Sequence, residues 1–582
     1  MESNFDPELE LLRNNKLDGY NYRERRQQDW LENYLLYRDR VTINRLTQRQ
    51  SVNIPIMKQS IKTLLKDVDD MPILYFESLD NDKQKEIFLN EYWKYIGSDE
   101  CNRMSLLDII DKKQVMHFGR SFDQWQIING KIRMTIEDPQ DILVSRYTDP
   151  ADVNTSRYLV HTHIFVPLSK LRLNSKYDQT AVERLAQWYG SKEGLIKAAE
   201  NAQMLVEKNQ KMSEMGLSDV NSPILGETYV ELSQHFCYRP NQDQTDEEIK
   251  FFVEADSMEI LKREYQDKII GKTKDNYWKK HYCYNSWADD LEKQDFWSDG
   301  SSDTVRQPNH VLNVMISQLV ENRTLRNFGM NFYDATAGDG EFVPQTLTPQ
   351  PFGWYGLPGN PSEVFTKVEI PDLSESIDEM TFIMGLVEKA TGATATQQGV
   401  QTSRQVTLGE VQLALGEAKD RVKGMSKFYT PAWKRRAEIF LKLVEAGADK
   451  LDAVKLYKKG LDGSRIYGRE IHPRDWMSKS GYQVRIWSQD EKDNTDADRL
   501  QKLNAAKTIM PNNPKLNEIY QRKLLEFSGL EPEEINETME YEKQNSLLLN
   551  NPMNGGVPVS QPQMNAPVIG NNYDSRSNLG KV

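Results

Sequence analysis

Apolar side chains recur at helical spacing near the start of the chain. Trp30, Tyr34, Leu36 and Tyr37 mark helix within residues 20–70, and Val52-Asn53-Ile54-Pro55-Ile56 restarts the chain into a further helix, Met57 to Leu65. A short strand-like run covers 71–78, and an amphipathic helix over 80–97 carries Phe88, Tyr92, Trp93 and Tyr95. From 112 to 170 the period shifts towards two, in Phe122–Ile127, Lys131–Ile136 and Tyr158–Val160, with turns at Asp138-Pro139 and Asp149-Pro150. One long helical stretch is predicted over 178–215, a second strand-rich patch over about 226–284, and a helix after Pro308. That last helix carries Val311, Leu312, Met315, Leu319 and Val320 on one side.

The region 334–373 is dense in Gly and Pro and reads as loop, followed by helix over 373–391. Residues 391–404 then form a polar run in which Val400 is the only sizeable hydrophobe and Arg404 the only charge, so it is poorly equipped to anchor itself in a core. Beyond it Leu408, Val411, Leu415, Ala418, Val422 and Met425, three and four apart, predict a long helix that continues past Pro431 through Ile439, Leu443 and Val444. A strand is expected at 482–487 and polar helices over 494–543. From 544 the chain is Asn, Gln, Pro and Gly with little charge, the composition of a disordered tail.

At 582 residues the chain exceeds a single simple core, and it is polar for its length, with a mean hydropathy of −0.70. Yet 10% of it is aromatic, which is not the composition of a disordered protein. The net charge of −13 argues against a protein that grips nucleic acid over most of its surface, since such binders carry Lys and Arg in excess. A conduit that lets nucleic acid slide has the opposite need. Cys101, Cys237 and Cys283 imply no disulfide framework. The N-terminus lacks a signal-peptide pattern and no segment approaches the roughly 18 apolar residues of a membrane span, so a soluble protein made in a cytoplasm is expected.

Enzymatic motifs are weak. Ile270-Gly271-Lys272-Thr273 ends like a phosphate-binding loop, but Gln266 stands where that loop needs glycine. Asp334–Gly340 is similar to the glycine loop of methyltransferases, but Pro344, Pro349 and Pro351 follow in place of a helix. His235-Phe236-Cys237 and His281-Tyr282-Cys283 each place a nitrogen and a sulfur ligand two apart. In neighbouring strands they would supply a four-ligand zinc site, against the plainer reading of two strands whose His and Cys merely pack. His161-Thr162-His163 reads as strand with alternating faces. No cofactor and no catalytic residues are expected.

The order of these elements resembles the portal proteins of tailed bacteriophages, closest in layout to those of short-tailed phages. The resemblance rests on Arg25–Tyr34 followed by Asn53-Ile54-Pro55 and a helix, and on the turns at Asp138–Ile142 and Asp149-Pro150. It rests further on the helix with His310–Asn313 and Arg323–Arg326, and on the polar loop before a long helix. It spans most of 20–545 in order. The resemblance implies an α+β fold in an elongated protomer. An N-terminal segment of the wing covers residues 1–177, the first stem helix region 178–225, the clip 226–304 and the second stem helix 305–333. The wing resumes over 334–480 with tunnel loop 391–404 and long helix 405–446, before the crown 481–543 and a disordered tail 544–582. The resemblance also implies a ring of about twelve copies at one capsid vertex, without enzymatic activity.

On that reading Gln397, Gln398, Gln401 and Thr402 face double-stranded DNA with uncharged donors, so that phosphate contacts exchange quickly, and Arg404 stands at the loop's root. Asn309, His310, Asn313 and Arg323 line or flank the channel. Lys268, Lys272, Lys274, Lys279 and Lys280 form a clip tip for the terminase and, later, tail adaptors. Major capsid and scaffolding proteins are further partners, the virion is the location, and no membrane is involved. The competing readings are another structural virion protein, such as a tail adaptor or internal core protein, and a nucleic-acid enzyme, which the acidity and absent motifs disfavour.

Overall fold

The computed structural model describes most of residues 6–39, 52–80, 82–215, 226–288, 295–333, 375–391, 408–459, 465–487 and 514–527, with short pieces around 360–367 and 502–541. The chain divides into two units, Met1–Gln489 and Asp490–Val582. The second carries a helix, Pro514–Phe527. The fold of the first is mixed α+β, and no helix among the described residues is long and apolar enough to cross a membrane.

Helix α1 (Pro7–Tyr37) begins well before the expected start. Asp6 caps it by accepting from the Glu8 N–H, and Pro7 sits where its missing N–H costs nothing. Its buried stripe includes Arg23, Arg26 and Asn33 beside Leu12, Trp30 and Leu36, so an apolar count alone understates it. Helices α2 (Ile56–Asp67) and α3 (Lys83–Gly97) fall where periodicity placed them, as does strand β1 (Ile73–Ser78).

Helix α4 (Met104–Phe118) corrects the strand reading that began at 112. It is buried on nearly every side, and Asp108, Asp111, Lys112, Gln114 and His117 are among its buried residues, which hides a 3.6-residue period. Strands β2 (Arg120–Ile128) and β3 (Lys131–Glu137) form a hairpin, followed by β4 (Ile142–Val144) and β5 (Tyr158–Pro167). The expected single helix over 178–215 is two, α5 (Gln179–Tyr189) and α6 (Lys192–Met215), interrupted at Gly190-Ser191.

Strands β6 (Tyr229–Pro240), β7 (Glu247–Ala255) and β8 (Glu259–Tyr265) join β4 and β5 in one antiparallel sheet ordered β4-β5-β6-β7-β8. Strand β9 (Tyr284–Ala288) pairs with β2 in the sheet β3-β2-β9. The boundaries drawn between a wing segment ending at 177 and a clip beginning at 226 therefore cut through both sheets. Alternation along the five strands separates two cores. Leu143, Tyr158, Val160, Cys237, Phe252 and Ile260 face Leu12 of α1, while Leu159, Phe236, Phe251, Val253 and Leu261 face the main core. Gly19 lets α1 approach β4, because a Cβ there would stand 2.8 Å from the Leu143 Cβ.

Helix α7 (Ser301–Phe328) starts before Pro308 and runs through it. Short strands β10 (Asn331–Tyr333) and β11 (Phe365–Lys367) pair with each other, and helix α8 (Glu375–Thr391) packs on α7. Helix α9 (Leu408–Gly447) is continuous through Pro431. Strands β12 (Val454–Lys459) and β13 (Arg465–Ile471) form a hairpin, and β14 (Tyr482–Trp487) pairs with β1, so the start of the expected crown belongs to the first unit's own packing.

Candidate functional site

From Tyr429 onward, α9 turns one apolar stripe into the main core: Tyr429, Trp433, Ala437, Phe440, Leu443 and Val444 are all buried. Arg436 lies in the middle of it with no solvent exposure of its side chain. Its Nη2 donates to Asp111 Oδ2 at 2.8 Å and to Asp123 Oδ1 at 2.9 Å, and its Nε donates to the same Asp123 oxygen at 3.0 Å. The carboxylates are held in turn. Trp125 Nε1 donates to Asp123 Oδ2 at 2.7 Å, Asn285 Nδ2 to Asp123 Oδ1 at 3.0 Å, and Trp287 Nε1 to Asp111 Oδ2 at 2.9 Å. One guanidinium thereby joins α9 to α4, β2 and β9.

Burial alone would pull Arg436 down, but Asp111 and Asp123 outweigh it and hold the guanidinium above its ordinary value. Two turns earlier the Tyr429 hydroxyl donates to Asp108, whose other oxygen accepts from Lys112 Nζ at 2.6 Å. Removing one partner from such a buried set strands the others, at about 3–5 kcal/mol. This clamp was not anticipated. An arginine three beyond Trp433 and four before Phe440, within an apolar stripe, is the signal that marks it.

No known family model matches this chain, and no curated protein does. The expected site residues are therefore weighed by where the structure places them. Gln397, Gln398, Gln401, Thr402 and Arg404 lie outside the described residues, as does Lys274. Asn309 and Asn313, expected at a channel, are each 1% exposed and cannot line one. They face inward because the buried side of α7 is Val305, Asn309, Leu312 and Asn313, while Val311 and Val320 point out. Asn313 Oδ1 accepts from the Ile54 N–H at 2.8 Å. His310 is half-buried and Arg323 exposed.

Three of the four described clip lysines have acidic partners, although Lys272 and Lys280 remain exposed. Lys279 Nζ lies 2.7 Å from Glu248, Lys280 Nζ 2.8 Å from Asp246 and Lys272 Nζ 3.7 Å from Asp267. Lys268 is exposed. Lys268 lies on the short helix Gln266–Ile270 and the other described lysines on the segment after it; of their partners Glu248 is on β7, Asp246 stands just before that strand and Asp267 is on the short helix.

The candidate zinc quartet is not assembled. His235 meets Glu254 at 2.6 Å, and the Cys237 thiol, pushed up to about 12 by burial, accepts from Asn15 on the α1 side of the sheet. Cys283 sits in the main core and accepts from Gln266 Nε2 at 3.3 Å, while His281 Nε2 meets Asn154 Nδ2 at 3.0 Å. Among the described residues no group of three or more His, Cys, Asp or Glu is placed to hold a metal ion. His161 and His163 do not alternate cleanly either. A register shift lies between His161 and Ile164, and His163 has φ of 54°.

Proposed function

We propose that this chain is the subunit of a phage portal: a ring of about twelve copies at one capsid vertex that conducts double-stranded DNA during packaging and ejection. The observation that supports it most is the asymmetry of α9. Its C-terminal half is clamped into the subunit's core by Arg436. Its N-terminal end follows closely on the polar run 391–404, which has almost nothing to bury. A contact element that meets moving DNA needs that combination, a yielding polar contact on a base that does not yield.

On this reading Gln397, Gln398 and Gln401 offer uncharged hydrogen-bond donors to passing phosphates, and the acidity of the chain keeps the bore from gripping. The protein does no covalent chemistry. Terminase and tail adaptors dock at the ring's end, where Lys268, Lys272 and Lys280 are the exposed lysines among the described ones. Wing, stem and clip remain functional regions here, although the strands assigned to wing and clip share sheets. Negative-stain microscopy of the purified chain tests the reading. Rings with a central hole are expected; monomers with nuclease or ATPase activity would overturn it.

A further inference from the structure

Between α1 and the turn after β4 lies an open groove of about 390 Å³ lined by Asn21, Tyr22, Arg25, Arg146, Tyr147 and Asp295. Tyr147 stands on it 97% exposed, with φ of 62°, a left-handed conformation that is costly for a bulky side chain. The turn that carries it is not a loose loop tip. Ser145 and Thr148 on either side are buried. The Ser145 N–H donates to Ser156 Oγ at 2.9 Å, the Thr148 hydroxyl donates to the Ser145 carbonyl at 2.6 Å, and the Arg157 N–H donates to Ser145 Oγ at 2.9 Å. A hydroxyl network thus fixes the backbone from which an aromatic ring projects into solvent. Such a ring loses little freedom when something closes over it.

The charges beside it are unequally committed. Asp295 is used internally, accepting from the Tyr22 hydroxyl at 2.7 Å and from the Trp297 N–H at 3.2 Å. Arg146 bridges to Asp18 at 3.0 Å while remaining half-exposed. Arg25, three residues beyond Tyr22 on α1, is exposed at the groove. Tyr and Arg together are among the residue types that dominate protein–protein contacts. The complement of an arginine-bearing aromatic patch is an acidic surface, and a chain of net charge −13 offers that on average. A second copy of the same patch offers Arg25 little to pair with, because the one carboxylate lining the groove, Asp295, already accepts from Tyr22 and Trp297.

We propose that this groove is a head-to-tail contact between copies of the chain, in which Tyr147 and Arg25 of one copy seat against an acidic surface of the next. A contact between two different patches closes into a ring when its rotation allows, so the inference rests on the portal reading and supplies it with a named joint. The test uses the full chain and two substitutions, Tyr147→Ala and Arg25→Glu, followed by sedimentation velocity over a range of concentrations. Arg25 lies on an exposed helix surface, so its variant keeps the fold, which circular dichroism checks. The expected result is rings for the unaltered chain and, for both variants, at least about a tenfold rise in the concentration of half-assembly. Tyr147→Phe is expected to retain assembly. An unaltered chain that forms no rings would sink the portal reading itself. Rings in the unaltered chain and in both variants alike would overturn only the joint.

Discussion

Helices α7 and α9 both bury polar side chains against α4, and they do so in opposite ways. In α9, Arg436 meets two carboxylates that are themselves held by Trp125, Trp287 and Asn285. Among the described residues only its Nη1 and the far oxygen of Asp111 lack a partner in this set. In α7, Asn309 is equally buried, yet neither its Nδ2 nor its Oδ1 finds a partner among the described residues, and Asn313 Nδ2, Asn33 Oδ1 and His117 Nε2 nearby are also open. Where a buried network is satisfied it fixes one arrangement. Where it is half-satisfied it holds weakly. The start of α7 is instead tied at its edge, by Arg26 to Asp303 at 2.6 Å and Arg306 to Asp29 at 2.8 Å. The chain thus locks the helix behind the polar run and leaves α7 on a softer polar seam.

The largest effect is expected at the lock. Arg436→Met leaves Asp111 and Asp123 buried without their cation and should cost about 3–5 kcal/mol, read as a lowered midpoint in urea unfolding. A loss below about 1 kcal/mol would make the clamp incidental.

The seam responds to acid instead. Burial, with the charges of Lys113 and Lys211 adding to it, pulls His117 from 6.5 to about 3. The folded state keeps this ring neutral while the unfolded chain takes up a proton. Stability present at pH 7 is therefore lost as pH falls from about 6.5 towards 3, at about 1.4 kcal/mol per pH unit. His117→Gln should flatten that section of the acid limb, and an unchanged slope would show that His117 does not carry it.

The smallest effect is a gain. Asn309→Leu replaces two unpartnered buried groups with apolar surface of similar size and should be neutral or stabilising by about 1 kcal/mol in thermal unfolding. A loss of similar size would mean that the seam is better satisfied than it looks.

The sequence made the amphipathic elements legible. Helices α2 and α3 and strand β1 fell where apolar spacing put them, because each has one drier face and one wetter one, and helix was also expected over the ranges of α8 and α9 and strand at β14. It concealed α4, whose buried Asp111, Gln114 and His117 look polar to a hydrophobic count, and the first half of α1, where only Leu12 and Gly19 are buried. It also misassigned Asn309 and Asn313, since a polar residue on a helix ordinarily marks the solvated face. The sheet continuity from β4 to β8 was not readable either, because pairing across the ends of α5 and α6 leaves no local trace. Tyr147 gave no signal in one dimension. Its exposure and backbone conformation appear only when the turn around it is built.

The most direct measurement is an electron cryomicroscopy reconstruction of the assembled particle in which every copy's main chain is traced from Thr391 into α9. Polar segments converging on a shared axis, each continuing into a helix still held at Arg436, is the predicted outcome. Segments lying on the particle's outer rim, or folded back into their own subunit, would contradict it.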